Sequence, residues 1–137
     1  MNKPISRGFR IIFLLHAVEG FVTGAVLLLV PTIFGNLMGW NMSDAAYRIV
    51  GAAALGCALS SWLAYGAENW GEVKIVVEAK VAWMSLAAIA ILWALLVGKI
   101  PAFGWVFFFV LAVFAAAFGY FLVMYSQTEE PGLSSIH

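Results

Sequence analysis

Of the chain's 137 residues, 64% are hydrophobic and 10% are charged, with seven basic and seven acidic side chains in balance. That composition excludes an ordinary water-soluble domain, and the zero net charge excludes a basic surface for nucleic acid. The single cysteine, Cys57, rules out a disulfide or a cysteine-based metal cluster within one chain.

Four apolar segments are predicted to cross a bilayer, each long enough for roughly 30 Å of hydrocarbon at about 1.5 Å per residue. The first covers residues 9–30 and stops at Pro31. Lys3, Arg7 and Arg10 precede it as they would in a secretory leader. The run is too long for one, however, holds His16 and Glu19, and has no small-x-small cleavage site. A retained first helix is therefore predicted. His16 and Glu19 share a face, about one turn apart. Glu19 falls near mid-span, where a carboxylate needs a partner or water. The pair reads either as a proton or cation site or as a structural pair locking the first helix to the second. The scarcity of further groups of this kind favours the structural role. Directly after Glu19, Gly20 and Gly24 form a GxxxG pattern suited to close helix contact.

Residues 31–43 are apolar but broken by glycines and too short to span. They are predicted to form an interfacial segment, a helical turn or two beginning at Pro31, with Trp40 at headgroup depth.

The second span, residues 44–66, has Ser43 as its N-cap. Ala52, Gly56 and Ser60 recur every fourth residue, with Ala53, Cys57 and Ser61 in a row beside them. Rows of small residues let helix backbones approach closely, so this helix is predicted to be the central, most buried one. Arg48 enters near its outer end. It either reaches down to Glu19 or snorkels to the headgroups.

The third span, residues 72–97, carries Glu78 and Lys80, about 200° apart around the helix. Both are expected to snorkel towards the inner end. His16 lies at a similar depth to Glu78, which suggests a polar pocket between the first and third helices. The predicted intramembrane polar set is thus His16, Glu19, Arg48 and Glu78. The predicted packing set is Gly20, Gly24, Ala52, Gly56 and Ser60.

The short link at Lys99, Ile100 and Pro101 makes the third and fourth spans antiparallel neighbours. The fourth, residues 102–125, has small-residue rows at Ala112 and Ala116 and at Ala115 and Gly119, with six phenylalanines around them. That aromatic surface is expected to face lipid or a partner, and it could also receive a quinone, a carotenoid or another flat hydrophobe. Residues 126–137 are polar and are expected to leave the membrane. Lys3, Arg7, Arg10 and Lys74 fall on the side of both termini, which predicts cytoplasmic termini in the plasma (inner) membrane.

The expected fold is therefore a single all-α domain, a polytopic four-helix bundle with a short interfacial segment. Pro-Thr-Ile-Phe-Gly35 after an acidic first helix, followed by Tyr-Arg-Ile-Val-Gly-Ala-Ala-Ala-Leu-Gly56, resembles the small DoxX-like four-helix membrane proteins. The resemblance covers most of the chain as a topology and those two stretches as motif. It implies a four-helix bundle, with links to quinone or redox partners or a place in a larger complex. The lack of a cysteine pair argues against thiol-redox chemistry.

Glycine loops for nucleotides and the short motifs of hydrolases and metalloproteases are absent from the sequence, and no enzyme activity or cofactor is predicted. The expected role is a non-catalytic accessory or scaffold subunit, packed through small-residue faces in a homo-oligomer or a larger membrane complex. Two alternatives stand beside it. One is a small oligomeric transporter or ion pathway with Glu19 as coupling carboxylate. The other is a binder of a lipid, quinone or similar hydrophobe on the aromatic face of the fourth helix.

Overall fold

A computed structural model describes residues 3–127. These form five helices: α1 (Arg7–Leu29), α2 (Pro31–Met38), α3 (Asp44–Tyr65), α4 (Trp70–Leu96) and α5 (Gly104–Ser126). All but α2 are long and apolar enough to cross a membrane. Side chains such as Leu29, Leu37, Ile75 and Leu96 stand fully outward on the bundle surface, as a lipid solvent permits. The protein is a multi-pass, all-α membrane protein. The predicted spans agree with the helices to within about two residues at each end, and residues 128–137 of the predicted polar tail lie outside the described residues.

Local chemistry sets the helix ends. The Ser6 hydroxyl accepts from the Phe9 amide at 3.3 Å and opens α1. At the other end Val30, the residue before a proline, leaves the helical region. Pro31 then starts α2, where its missing N–H is no loss. Gly39, with φ of 67°, closes α2 in the left-handed conformation, and the Trp40 amide returns to the Gly35 carbonyl at 2.9 Å. Ser43 caps α3 through the Ala46 amide. Gly98, with φ of 65°, closes α4. The Lys99 amide donates to Ala94 and the Gly98 amide to Leu95, the paired bonds that satisfy the last carbonyls of a helix.

The helices associate as two antiparallel pairs. α1 packs on α3 along most of its length, α4 packs on α5, and the pairs touch each other more sparingly. Glycines bring α1 and α3 together. A Cβ on Gly20 would sit 3.0 Å from the Ala58 side chain, one on Gly24 2.7 Å from Leu55, and one on Gly51 2.9 Å from the Gly24 carbonyl. Helices in lipid gain their contact energy through such close backbone approach.

The expectation that the Asp44–Tyr65 helix is central does not hold. α1 has the larger buried share of the two. It meets α3 along one flank and contributes Phe9 and Phe13 to the core on another. α3 uses one of its small-residue faces and leaves the other outward.

Between the pairs, at the end that carries both termini, lies a core of Phe9, Phe13, Trp70, Val73, Val77, Met84, Phe118 and Tyr125. Phe9 stacks on Phe121 with centroids 4.4 Å apart and on Phe13 at 4.7 Å, and Trp70 stacks on Tyr125 at 5.0 Å. Phe118 is fully buried and Phe121 packs against the core, so part of the aromatic surface of α5 expected to face lipid is turned inward. Phe109 on the same helix does face out.

A strap closes this end. Lys3 to Ile5 run alongside the α3–α4 link, with the Ile5 amide on the Glu68 carbonyl at 3.0 Å and the Trp70 amide on the Lys3 carbonyl at 2.9 Å. The Tyr125 hydroxyl accepts from the Ser6 amide at 2.8 Å and donates to the Pro4 carbonyl at 3.3 Å.

Candidate functional site

At the opposite end, under α2, the helix pairs do not close on each other. α1 and α3 present small residues there: Gly20, Ala53, Ala54 and Cys57. Opposite them α4 offers Ala87 between Trp83 and Ile91. Where these small residues face one another the gap is not bridged, and a cavity of about 460 Å³ remains. Phe34 and Trp40 roof it from α2 and the following link, and Phe107 and Phe114 wall it from α5. Trp40 packs on Phe107 with centroids 5.3 Å apart. The roof is fixed to α3 by Tyr47, which is buried and whose hydroxyl donates to the Trp40 carbonyl. A Cβ at Gly35 would strike that hydroxyl, so the glycine lets α2 lie directly on Tyr47.

The cavity wall is apolar apart from a short polar strip, most of it on α1: His16, Glu19 and Thr23. Their spacings of three and four place them along one flank of the helix. Thr23 Oγ1 donates to Glu19 Oε1 at 2.9 Å. The second carboxylate oxygen has no hydrogen-bond partner among the described residues. His16 is buried, with Nδ1 2.8 Å from Ser61 Oγ on α3. Its ring is held edge-on between Phe114 and Phe118, at centroid distances of 5.0 and 5.7 Å. Nε2 has no hydrogen-bond partner among the described residues.

The predicted polar set is only partly assembled. His16 and Glu19 share the cavity, but they are not bonded to each other. Arg48 does not reach Glu19. It pairs with Asp44 one turn earlier, Nε to Oδ2 at 2.7 Å, and donates through Nη1 to the Leu28 carbonyl at 2.6 Å. Asp44 and an end-of-helix carbonyl are nearer acceptors than a carboxylate two turns further down. Glu78 is exposed and does not line the cavity that holds His16. In its place stands Lys80, which does not snorkel. It is 5% exposed and crosses to α3, donating to the Cys57 carbonyl at 2.9 Å and to Ser60 Oγ at 3.0 Å.

Of the predicted packing residues, Gly20 and Gly24 lie in the α1–α3 contact, and Ser60 receives Lys80. Ala52 and Gly56 do not pack within the chain. They lie on the exposed face of α3, and a Cβ on Gly56 would meet nothing within 4 Å.

Two polar links to α3 were missed, that of Lys80 to Ser60 and the Cys57 carbonyl and that of His16 to Ser61. Val73, Val77, Lys80 and Met84 follow the spacing of one buried stripe on α4. A lysine on that stripe, three turns into the helix, is the signal that could have placed it inside. Among the described residues no three His, Cys, Asp or Glu side chains come together to hold a metal ion. The arrangement is an apolar, aromatic-walled chamber with one carboxylate and one imidazole on a single wall.

Compared with known proteins, the chain matches no family model, no curated protein and no solved structure.

Proposed function

We propose that this protein is a membrane-embedded binding module for a small, largely apolar molecule held between its two helix pairs. The observation that carries this reading is the cavity of about 460 Å³, which falls in the size range of small-molecule sites and combines apolar walls with a few converging polar groups. The apolar side chains lining such a space gain dispersion contacts from an apolar body of matching size. The positive charges of Lys3, Arg7, Arg10 and Lys74 at the terminus-bearing end support a plasma-membrane setting with that end in the cytoplasm.

A second reading rests on a separate observation. Ala52 and Gly56 leave a thin, uncovered strip on the outer face of α3, the kind of surface against which another membrane helix packs. It supports a role as a subunit of a homo-oligomer or larger complex, with ligand binding as its contribution.

Purification from membranes in mild detergent, followed by solvent extraction and mass measurement of the intact particle, tests both. The expected result is a hydrophobic small molecule near one per chain, lost in an Ala87→Leu variant whose added side chain occupies the cavity. The binding reading fails if the extracts of the two proteins are the same. A particle of one chain alone sinks the subunit reading.

A further inference from the structure

We infer that the occupant of this cavity is a hydrophobic amine, bound with its ammonium group against Glu19. The inference rests on the binding reading above and names the chemistry of the head group. Glu19 sits near the midpoint of α1, in a helix long enough to cross the bilayer. A carboxylate at that depth is tolerated when it faces the bundle interior and meets a partner. Within the chain it meets only the Thr23 hydroxyl, at 2.9 Å, and no cation among the described residues.

The two basic side chains that could have served are committed elsewhere. Arg48 is held by Asp44 and the Leu28 carbonyl, and Lys80 by Ser60 and the Cys57 carbonyl. Neither lines the cavity, and no other lysine or arginine among the described residues does. The chamber therefore offers a negative group with an open oxygen and no positive one. An anionic head, whether a fatty acid or a lipid phosphate, would meet repulsion from Glu19 with nothing to offset it. An uncharged alcohol can satisfy one oxygen, yet it leaves the charge without a counterpart. An ammonium does both, donating a hydrogen bond and supplying the missing charge, and such charge-assisted bonds are about twice as strong as neutral ones.

The walls suit the same class. Trp83, Phe114, Phe107 and Trp40 line the space, and aromatic faces attract a cation as well as an apolar body. The His16 ring lies one turn from Glu19 on the same polar strip, and its Nε2 has no hydrogen-bond partner among the described residues.

The test uses three probes that share a naphthylbutyl body and end in an amine, an alcohol or a carboxylate. Each is titrated calorimetrically into the full chain in detergent, with Ala87→Leu as the control for uptake by micelles. The amine is expected to bind at least tenfold more tightly than the alcohol, and the carboxylate not at all above the control. In Glu19→Gln the amine should fall to within about threefold of the alcohol, whose own affinity stays unchanged. Equal binding of amine and alcohol to the unaltered protein overturns the inference, and so does an amine preference that survives Glu19→Gln. A co-purified phospholipid that the amine does not displace overturns it as well. The probe series on the unaltered chain decides the matter even if Glu19→Gln fails to fold. If no probe binds beyond the Ala87→Leu control, the binding reading itself falls, and this inference with it.

Discussion

The two ends of this bundle are built from the same four spanning helices and have opposite interiors. At the end bearing the termini, Phe9, Phe13, Trp70, Phe118 and Tyr125 fill the space between the helix pairs. At the α2 end, Gly20, Ala53, Ala54 and Ala87 leave it open. The difference follows from where side-chain bulk lies along the helices. Glycines on α1 and α3 draw those two together without narrowing the gap to α4 and α5. The gap closes only where large rings reach across it. In water, hydrophobic pressure would favour collapse of the open half. In lipid that drive is absent, so helix pairs locked at one end can stay apart at the other. The solid half acts as a fixed hinge block and the hollow half as the chamber it holds open.

The largest effect should come from weakening the block. Phe118 is fully buried and touches both Phe13 and the His16 ring. Truncating such a ring removes about 3–5 kcal/mol in a packed interior. Phe118→Ala should accordingly lower the thermal midpoint in detergent more than any single change in the cavity wall. A midpoint within a degree or two of the unaltered protein would mean that the aromatic half does not hold the pairs together.

A smaller loss is expected from the α1–α3 seam. Gly24→Leu places a side chain where even a Cβ would lie 2.7 Å from Leu55 and 2.9 Å from the Gly51 carbonyl. Overpacking of this kind costs typically about 1–3 kcal/mol, and the seam must open to relieve it. An unchanged midpoint and particle size would show that the glycine contact is not what sets the pairing.

The smallest effect belongs to Lys80. Its bonds to Ser60 and the Cys57 carbonyl join the two pairs, but Ser60 Oγ already donates to that carbonyl at 2.8 Å. Lys80→Met therefore strands no acceptor. Replacement of a buried polar link by an apolar side chain of similar volume is often neutral or stabilising. Stability within about 1 kcal/mol is expected. A drop comparable to that of Phe118→Ala would move the work of holding the pairs together from the rings to the lysine.

Much of this architecture was legible beforehand because single residues announce it. Pro31, Ser43 and the short link before Pro101 fix where spans stop and start, since each acts through its own backbone or its nearest turn. The pairing of α4 with α5 follows from the same short link. Partner choice was less legible. α3 carries small residues on two faces, and nothing local says which will be covered; Gly51 and Ala58 are, while Ala52 and Gly56 are not. Arg48 reads equally as reaching down to Glu19 or as snorkelling to the headgroups, and neither reading weighs Asp44, one turn away on the same helix, which takes it. Glu19 and His16 were recognisable as an unusual pair on α1. The chamber beside them was not, because a cavity is made by what four other segments fail to supply.

The strap at the terminus-bearing end orders events in time. The Ser6 amide and the Pro4 carbonyl find their partner in the Tyr125 hydroxyl, which is separated from Ser6 by 119 positions along the chain. Synthesis proceeds from the N-terminus, so α1 and α3 can meet in the membrane while α5 is still to be made. The bonds of Ile5 to Glu68 and of Trp70 to Lys3 can close once the α3–α4 link is made, whereas those of Ser6 and Pro4 must wait for Tyr125 on the last helix. The strap is thus closed in two stages, first against the α3–α4 link and last by the Tyr125 hydroxyl, so that insertion of α5 is the step that latches the molecule.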